Sequence, residues 1–559
     1  GDEAIHAEQA DRGSDTLLLK NTSQPRLGFR VNKIYIDSYY MDPQTKKYPE
    51  ANRELMKQFN EGMLVFNYIG HNDPEVGFTG EGLFSRYEME HLTNTRLPLF
   101  ITITCDYCQF DAEDVSAGEN VFLNPSAGAI ALITTTRVVY TDGNDKINQR
   151  LMKRLLERDS NGSPLRIGDV LKLAKRDFNT EIDKNKLNYV LIGDPALKLA
   201  YPEHSIQVTR INGNSGEKNI EMIPGKNYTV EGEIRSHQNE LLSDFNGYIY
   251  YNLYDKEKQF TTLAHQDKKT WTYTHRPDLL TTGKGTIQNG IFRITVALPI
   301  DNSHSGKSGL LNLYAYDESG REANGYTDKL IVSTAVEPIT EDIQGPDIEF
   351  AGINDDSFTE GILVNNPATF VCKFSDPSGI WSGNSLGKQM TLSLDGACIE
   401  ENVARYYKPI AESEIPEGEF IYPLPRLSNG LHTLTFKVFD TLGNSSEVTI
   451  AFEVKENSET YTISLEEEPA TERATISCQD QNGNDVTESK HTRISVTNTL
   501  GEEIWSYETT ENNPFPLTWN LQDNNGKRVS AGQYYCKGYF ETSAGTIVTP
   551  AKKIVVITQ

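Results

Sequence analysis

Two side chains able to do covalent chemistry occupy matching positions in this sequence. His71 comes just after the apolar run 63–69, and Cys105 comes just after the apolar run 97–104. An unperturbed thiol is only a few per cent ionised at neutral pH, and a neighbouring imidazole that takes its proton makes it a usable nucleophile. In that pairing Cys105 attacks a carbonyl and His71 hands a proton to the leaving group. Cys108 is the competing thiol, but it lies deeper in the following loop, where packing is its simpler role. Plain roles stand for the pair as well: a strand-end cysteine is commonly a small buried apolar residue, and a histidine after a glycine a loop residue.

The backbone has to bring the pair together. Runs 63–69 and 97–104 have the length of buried strands, and with a helical pattern over 83–94 between them they make a βαβ unit. Parallel strands place their carboxyl ends on one sheet edge, about 4.8 Å apart, the edge at which open α/β sheets bind ligands. The rest of residues 1–202 has the same texture. Residues 34–36 predict a short strand, 51–62 a helix and 129–135 a strand. Residues 145–157 predict a helix with Ile147, Leu151 and Leu155 on one face, followed by a third helix capped by Asp169 and a last strand at 189–192. The His-before-Cys order excludes a papain-type arrangement and fits a caspase-like α/β domain with a mostly parallel sheet.

From residue 203 the pattern turns to short alternating runs such as 248–254 and 292–298, which predicts antiparallel β-sandwiches. Turn-rich stretches at 336–345 and 455–460 divide this part into three Ig-like units, 203–340, 341–457 and 458–559.

Composition limits the partners. Lys and Arg number 53 against 79 Asp and Glu, a formal charge of −26, which argues against nucleic acid. No run approaches the roughly 18 apolar residues of a membrane helix. The six cysteines form no repeated CxxC pair, so no four-thiolate zinc site is expected and no metal ligand set is assigned. Cys372 with Cys398 and Cys478 with Cys536 fall within single β-units, and they are the disulfides that an oxidising compartment would permit. The sequence opens at Gly1 without a methionine and reads as a mature or partial chain.

Several ordered motifs within residues 1–202 resemble the gingipain-type cysteine peptidases. They are Asn67-Tyr68-Ile69-Gly70-His71, Thr104-Cys105-Asp106, Ser116-Ala117-Gly118-Glu119, Leu123-Asn124-Pro125 followed by Gly128-Ala129-Ile130-Ala131, and Leu191-Ile192-Gly193-Asp194-Pro195. The resemblance implies a Cys105/His71 dyad whose histidine is oriented by an acid, with Asp2 the better match and Glu3 the next. It implies an oxyanion hole made by the backbone N–H groups of Cys105 and of the residue after the histidine, normally glycine and here Asn72. Asparagine tolerates left-handed backbone well, so that donor can survive the change. The family's catalytic domain also begins further upstream, which implies that the first strands are missing here.

Within the family the motifs are most similar to the sortase of type IX secretion, an exported enzyme at the outer face of the outer membrane. That similarity implies cleavage of cargo proteins from a carboxy-terminal secretion signal through a thioester on Cys105, and transfer to a lipopolysaccharide amine. Asp523-Asn524-Asn525-Gly526 and Gly532-Gln533-Tyr534 are similar to the signal domain itself, implying docking on an outer-membrane β-barrel shuttle protein. No cofactor is implied, and structural calcium is the one ion the family suggests. The acceptor is itself anionic, so the charge of −26 calls for a local basic patch or bound calcium. Loops 72–82 and 106–118, with 134–137 beside them, are expected to line the cleft. The alternatives are a secreted endopeptidase on the same scaffold and a non-catalytic surface scaffold with a vestigial dyad.

Overall fold

The computed structural model describes residues 3–557 apart from 24, 74–76, 79–82, 179–184, 266–267, 301–306, 335–341, 355–357, 359–362, 365, 384, 386, 401, 411–414, 455–460, 467–468, 481–483, 485, 487–488, 500, 512–513 and 543–544. The chain divides into two compact units. The first is Gly1–Asp342 with Ser382–Ser385 and Ile410–Glu414, and the second is the remainder.

In chain order the α/β part of the first unit holds α1 (Ala4–Leu18), α2 (Pro49–Glu61), β1 (Val65–Ile69), β2 (Asn72–Asp73), β3 (Gly77–Phe78), β4 (Phe84–Ser85) and α3 (Arg86–Glu90). Next come β5 (Leu99–Ile103), α4 (Ala117–Phe122), β6 (Ala131–Thr135), α5 (Thr141–Leu155), α6 (Ile167–Arg176), α7 (Asn185–Asn188) and β7 (Tyr189–Ile192). The main sheet has the order β1-β5-β6-β7, with β1, β5 and β6 parallel and β7 antiparallel to β6. Both faces are covered, which is why these strands read as unbroken apolar runs. In β5, Phe100 points into one core with Phe59, Phe66, Phe84 and Leu132. Its neighbours Leu99, Ile101 and Ile103 point into another with Ile147, Leu151 and Val170.

Three local expectations are corrected. Residues 34–36 form no strand, and a short 3-10 turn, Ile36–Ser38, stands there instead. Its buried Asp37 carboxylate accepts the backbone N–H groups of Ala264 (2.7 Å) and His265 (2.8 Å), a task that needs a turn rather than a ladder. The helix expected over 83–94 shrinks to α3, started by a Ser85/Glu88 capping box. It ends at Glu90, and further on the Asn94 side chain bonds Arg96 O and the backbone of Gly128. Asp169 lies inside the first turn of α6, where it faces the positive helix end, and Arg166 takes the capping position.

The β part of the first unit closes on itself. Strand His204–Ile211 pairs with both Asn227–Arg235 and Glu322–Thr327, so one continuous sheet surrounds a core that includes Ile206, Val230, Phe292 and Leu313. The second unit holds a four-stranded and a five-stranded sheet about Phe370, Leu392, Phe420 and Phe436. It also holds a three-stranded and a five-stranded sheet about Ile476, Val496, Trp519 and Phe540.

All six cysteines are free thiols, so neither expected disulfide is present. Cys372 is buried in strand Thr369–Ser375, whereas Cys398 is exposed on Ala397–Glu400, a strand of a different sheet. Cys478 and Cys536 share one core, where burial pushes each thiol up to about 12. Among the described residues no helix is long and apolar enough to cross a membrane.

Candidate active site

The register of the two central strands fixes the site. Val65 lies opposite Leu99 and Ile69 opposite Ile103, so two further residues along each strand bring the chain to His71 and Cys105. A direct bond ties the two strand ends: Asn72 Nδ2 donates to the carbonyl oxygen of Cys105 at 3.1 Å. The Tyr68 hydroxyl donates to the carbonyl of His71 at 2.7 Å and holds the turn that carries the imidazole. Beyond it β2, β3 and β4 pair in a small antiparallel sheet.

Cys105 is half-buried, packed on the core that contains Ile69, Ile103 and Val139, and its Sγ donates to Val139 O at 3.4 Å. The chain then turns sharply through Asp106, whose φ of 47° is left-handed. Asp106 N–H donates to Arg137 O at 3.5 Å and Cys108 N–H to Thr135 O at 3.0 Å, stitching the loop to the segment that follows β6. Partial burial raises the Asp106 carboxyl, and the nearby Arg137 opposes the shift. Cys108 is buried, and burial pushes its thiol up to about 11. The packing is tight: a Cβ on Gly118 would come within 2.7 Å of Cys108 Cβ.

His71 is exposed, and the amino end of α1 stands against it. One ligand atom each from Glu3, His6 and His71 lies within 4.8 Å of the others. The buried His6 ring meets His71 edge-on, with centroids 4.9 Å apart and an interplanar angle of 84°. Glu3 is the residue that precedes the first turn of α1, and His6 lies within that turn. The structure thus brings Glu3 to the histidine, while Asp2 lies outside the described residues. Asn72 sits in the extended β2 rather than in a left-handed turn, so it is its side chain that reaches Cys105. Neither His6 nor Val139 falls in a motif that the sequence marks, whereas Tyr68 lies within one. The spacing Glu3-x-x-His6 is the signal for His6, and it becomes visible only once a helix is known to begin at Ala4.

A thiol and an imidazole at adjacent carboxyl ends of parallel strands, with a carboxylate near the imidazole, is the side-chain set of a cysteine peptidase. Residues 3–200 match peptidase family C25, a family of cysteine peptidases. Among solved structures, the dimeric latent PorU from Porphyromonas gingivalis is 24% identical, with a TM-score of 0.33, covering 78% of this chain and 41% of that one. The complex of the RgpB pro- and mature domains from Porphyromonas gingivalis is 16% identical, with a TM-score of 0.26, covering 52% of this chain and 58% of that one. The Arg-specific cysteine proteinase gingipain R is 18% identical, with a TM-score of 0.24, covering 52% and 57%. No curated protein matches the chain. The chain therefore spans less than two thirds of the length of these relatives.

Proposed function

We propose that Cys105 is the nucleophile and His71 the proton carrier of a peptide-cleaving or peptide-transferring site. The observation that carries this reading is the in-register pairing of β1 with β5, sealed by the Asn72 to Cys105 bond at 3.1 Å. A turn about the Cys105 Cα–Cβ bond moves Sγ from Val139 O toward the strand-end edge, since staggered rotamers exchange readily in a half-buried side chain. His71 takes the thiol proton, sulfur attacks the carbonyl, and the imidazolium gives that proton to the leaving amine, leaving a thioester. Glu3 holds the imidazole in the tautomer that accepts from sulfur. The Cys105 N–H faces the developing oxyanion, and Asn72 acts as a positioning residue that fixes the Cys105 peptide. Val138 and Tyr140, exposed on either side of Val139, supply an apolar lip for a peptide chain.

The finer reading, supported by the sequence motifs, is a transpeptidase exported to the cell surface. It cuts cargo proteins from a carboxy-terminal secretion signal and passes them to a lipopolysaccharide amine, with its last β-unit docked on an outer-membrane β-barrel protein. An amine wins over water only if it is held near the thioester while solvent is kept out. Product analysis tests this. A signal-bearing substrate incubated with the protein and a small primary amine gives an amine adduct, absent with Cys105→Ala. Hydrolysed product alone, in the presence of the amine, overturns the transferase reading in favour of an endopeptidase. Cleavage that survives Cys105→Ala overturns both.

A further inference from the structure

We propose that Glu3, His6 and His71 form a binding site for a divalent transition-metal ion of the Zn²⁺ class, and that a metal held there silences the Cys105 thiol. Two imidazoles and one carboxylate are a donor set that zinc accepts from protein, with water completing the tetrahedron. The donor atoms already lie within 4.8 Å of one another. Zn–N and Zn–O bonds of about 2.0–2.2 Å require donors roughly 3.3–3.5 Å apart, so closing the site takes about 1.5 Å at most, within reach of side-chain rotations. Two of the ligands are preorganised. Glu3 is the capping residue that precedes α1 and His6 lies in the first turn, so both are carried by the start of one helix. The third arrives on a clamped backbone, because Tyr68 bonds the His71 carbonyl at 2.7 Å. The buried His6 gives the site a floor, and the exposed His71 leaves it open to solvent on the other side.

The consequence for chemistry follows from the imidazole. A ring nitrogen that binds metal has no lone pair left to accept the thiol proton, so metal would withdraw His71 from Cys105. This silencing rests on the reading of His71 as the partner of the thiol, whereas the binding does not.

The experiment uses the full 559-residue chain carrying Cys105→Ala, so that the thiol takes no part. Zn²⁺ is titrated against a chromophoric chelator. About one equivalent is expected to bind, with Glu3→Gln and His6→Gln each weakening affinity at least ~10-fold. Glu3 lies at the surface end of the helix, so Glu3→Gln keeps the test valid even if the buried His6→Gln disturbs folding. Unchanged affinity in Glu3→Gln overturns the site. In the chain with Cys105 intact, Zn²⁺ is expected to slow iodoacetamide alkylation of Cys105, EDTA to restore it, and Glu3→Gln to blunt the effect. Zinc that binds through Glu3 without slowing alkylation overturns the silencing, while the metal site stands.

Discussion

Cys105 and Cys108 show how burial divides two thiols in one loop. Cys108 has its thiol pushed up to about 11, which leaves on the order of 10⁻⁴ of it ionised at pH 7. Cys105 is half-buried at the strand-end edge. Iodoacetamide at pH 7 is expected to label Cys105 and leave Cys108 untouched, read by peptide mapping. Cys105→Ala is expected to abolish activity, whereas Cys108→Ala costs stability alone through a small packing defect. The carboxylate of Glu3 is the other residue-scale lever. Glu3→Gln removes the carboxylate proposed to orient the imidazole, and kcat is expected to fall at least ~10-fold with KM nearly unchanged. A KM effect without a kcat effect would assign Glu3 to binding instead.

The elements divide into those the sequence announces and those that only tertiary contacts explain. Strands β1 and β5 were legible because both faces are covered, so apolar residues run without a break, and the strand ends then located His71 and Cys105. Helix α1 was not legible, because its buried face carries His6, Gln9, Asp11 and Ser14 in place of an apolar stripe. Those polar groups are satisfied at a distance in sequence. Asp11 accepts from Lys33 Nζ at 2.5 Å, from Tyr35 Oη at 3.2 Å and from Trp271 Nε1 at 3.3 Å, and no single-sequence periodicity records such partners. The Lys33 side chain is 3% exposed and the Asp11 side chain 11%, so removing one partner strands a buried charge. Asp11→Ala is expected to destabilise the protein by about 3–5 kcal/mol, measured by denaturant unfolding. Because Asp11 anchors the helix that delivers Glu3 and His6, activity is expected to fall below what the unfolded fraction alone accounts for.

At the scale of the molecule, the α/β part is not independent of the β part that follows it in the first unit. Asp37 holds the backbone of Ala264 and His265, Lys33 Nζ donates to Thr274 O at 2.9 Å, and Arg30 Nη1 donates to Tyr254 Oη at 2.9 Å. A fragment ending near residue 203 is therefore expected to be poorly folded, and one ending near 334 to melt cooperatively. His275 turns this contact into a pH dependence. It is half-buried, and burial, with Arg30, Lys33 and Lys20 nearby, lowers its pKa to about 4, against about 6.5 in the unfolded chain. Between those values the unfolded chain binds a proton that the folded chain refuses, so stability that is fully present above pH 6.5 drains away as pH falls toward 4. Thermal melts from pH 7 to pH 4.5 are expected to show Tm falling more steeply for the wild-type chain than for His275→Gln. Every other titrating group is common to the two proteins, so parallel slopes would mean that His275 already takes its proton while folded. The cations around it would then have to be screened by the carboxylates of Glu257 and Asp15, both of which Lys20 contacts.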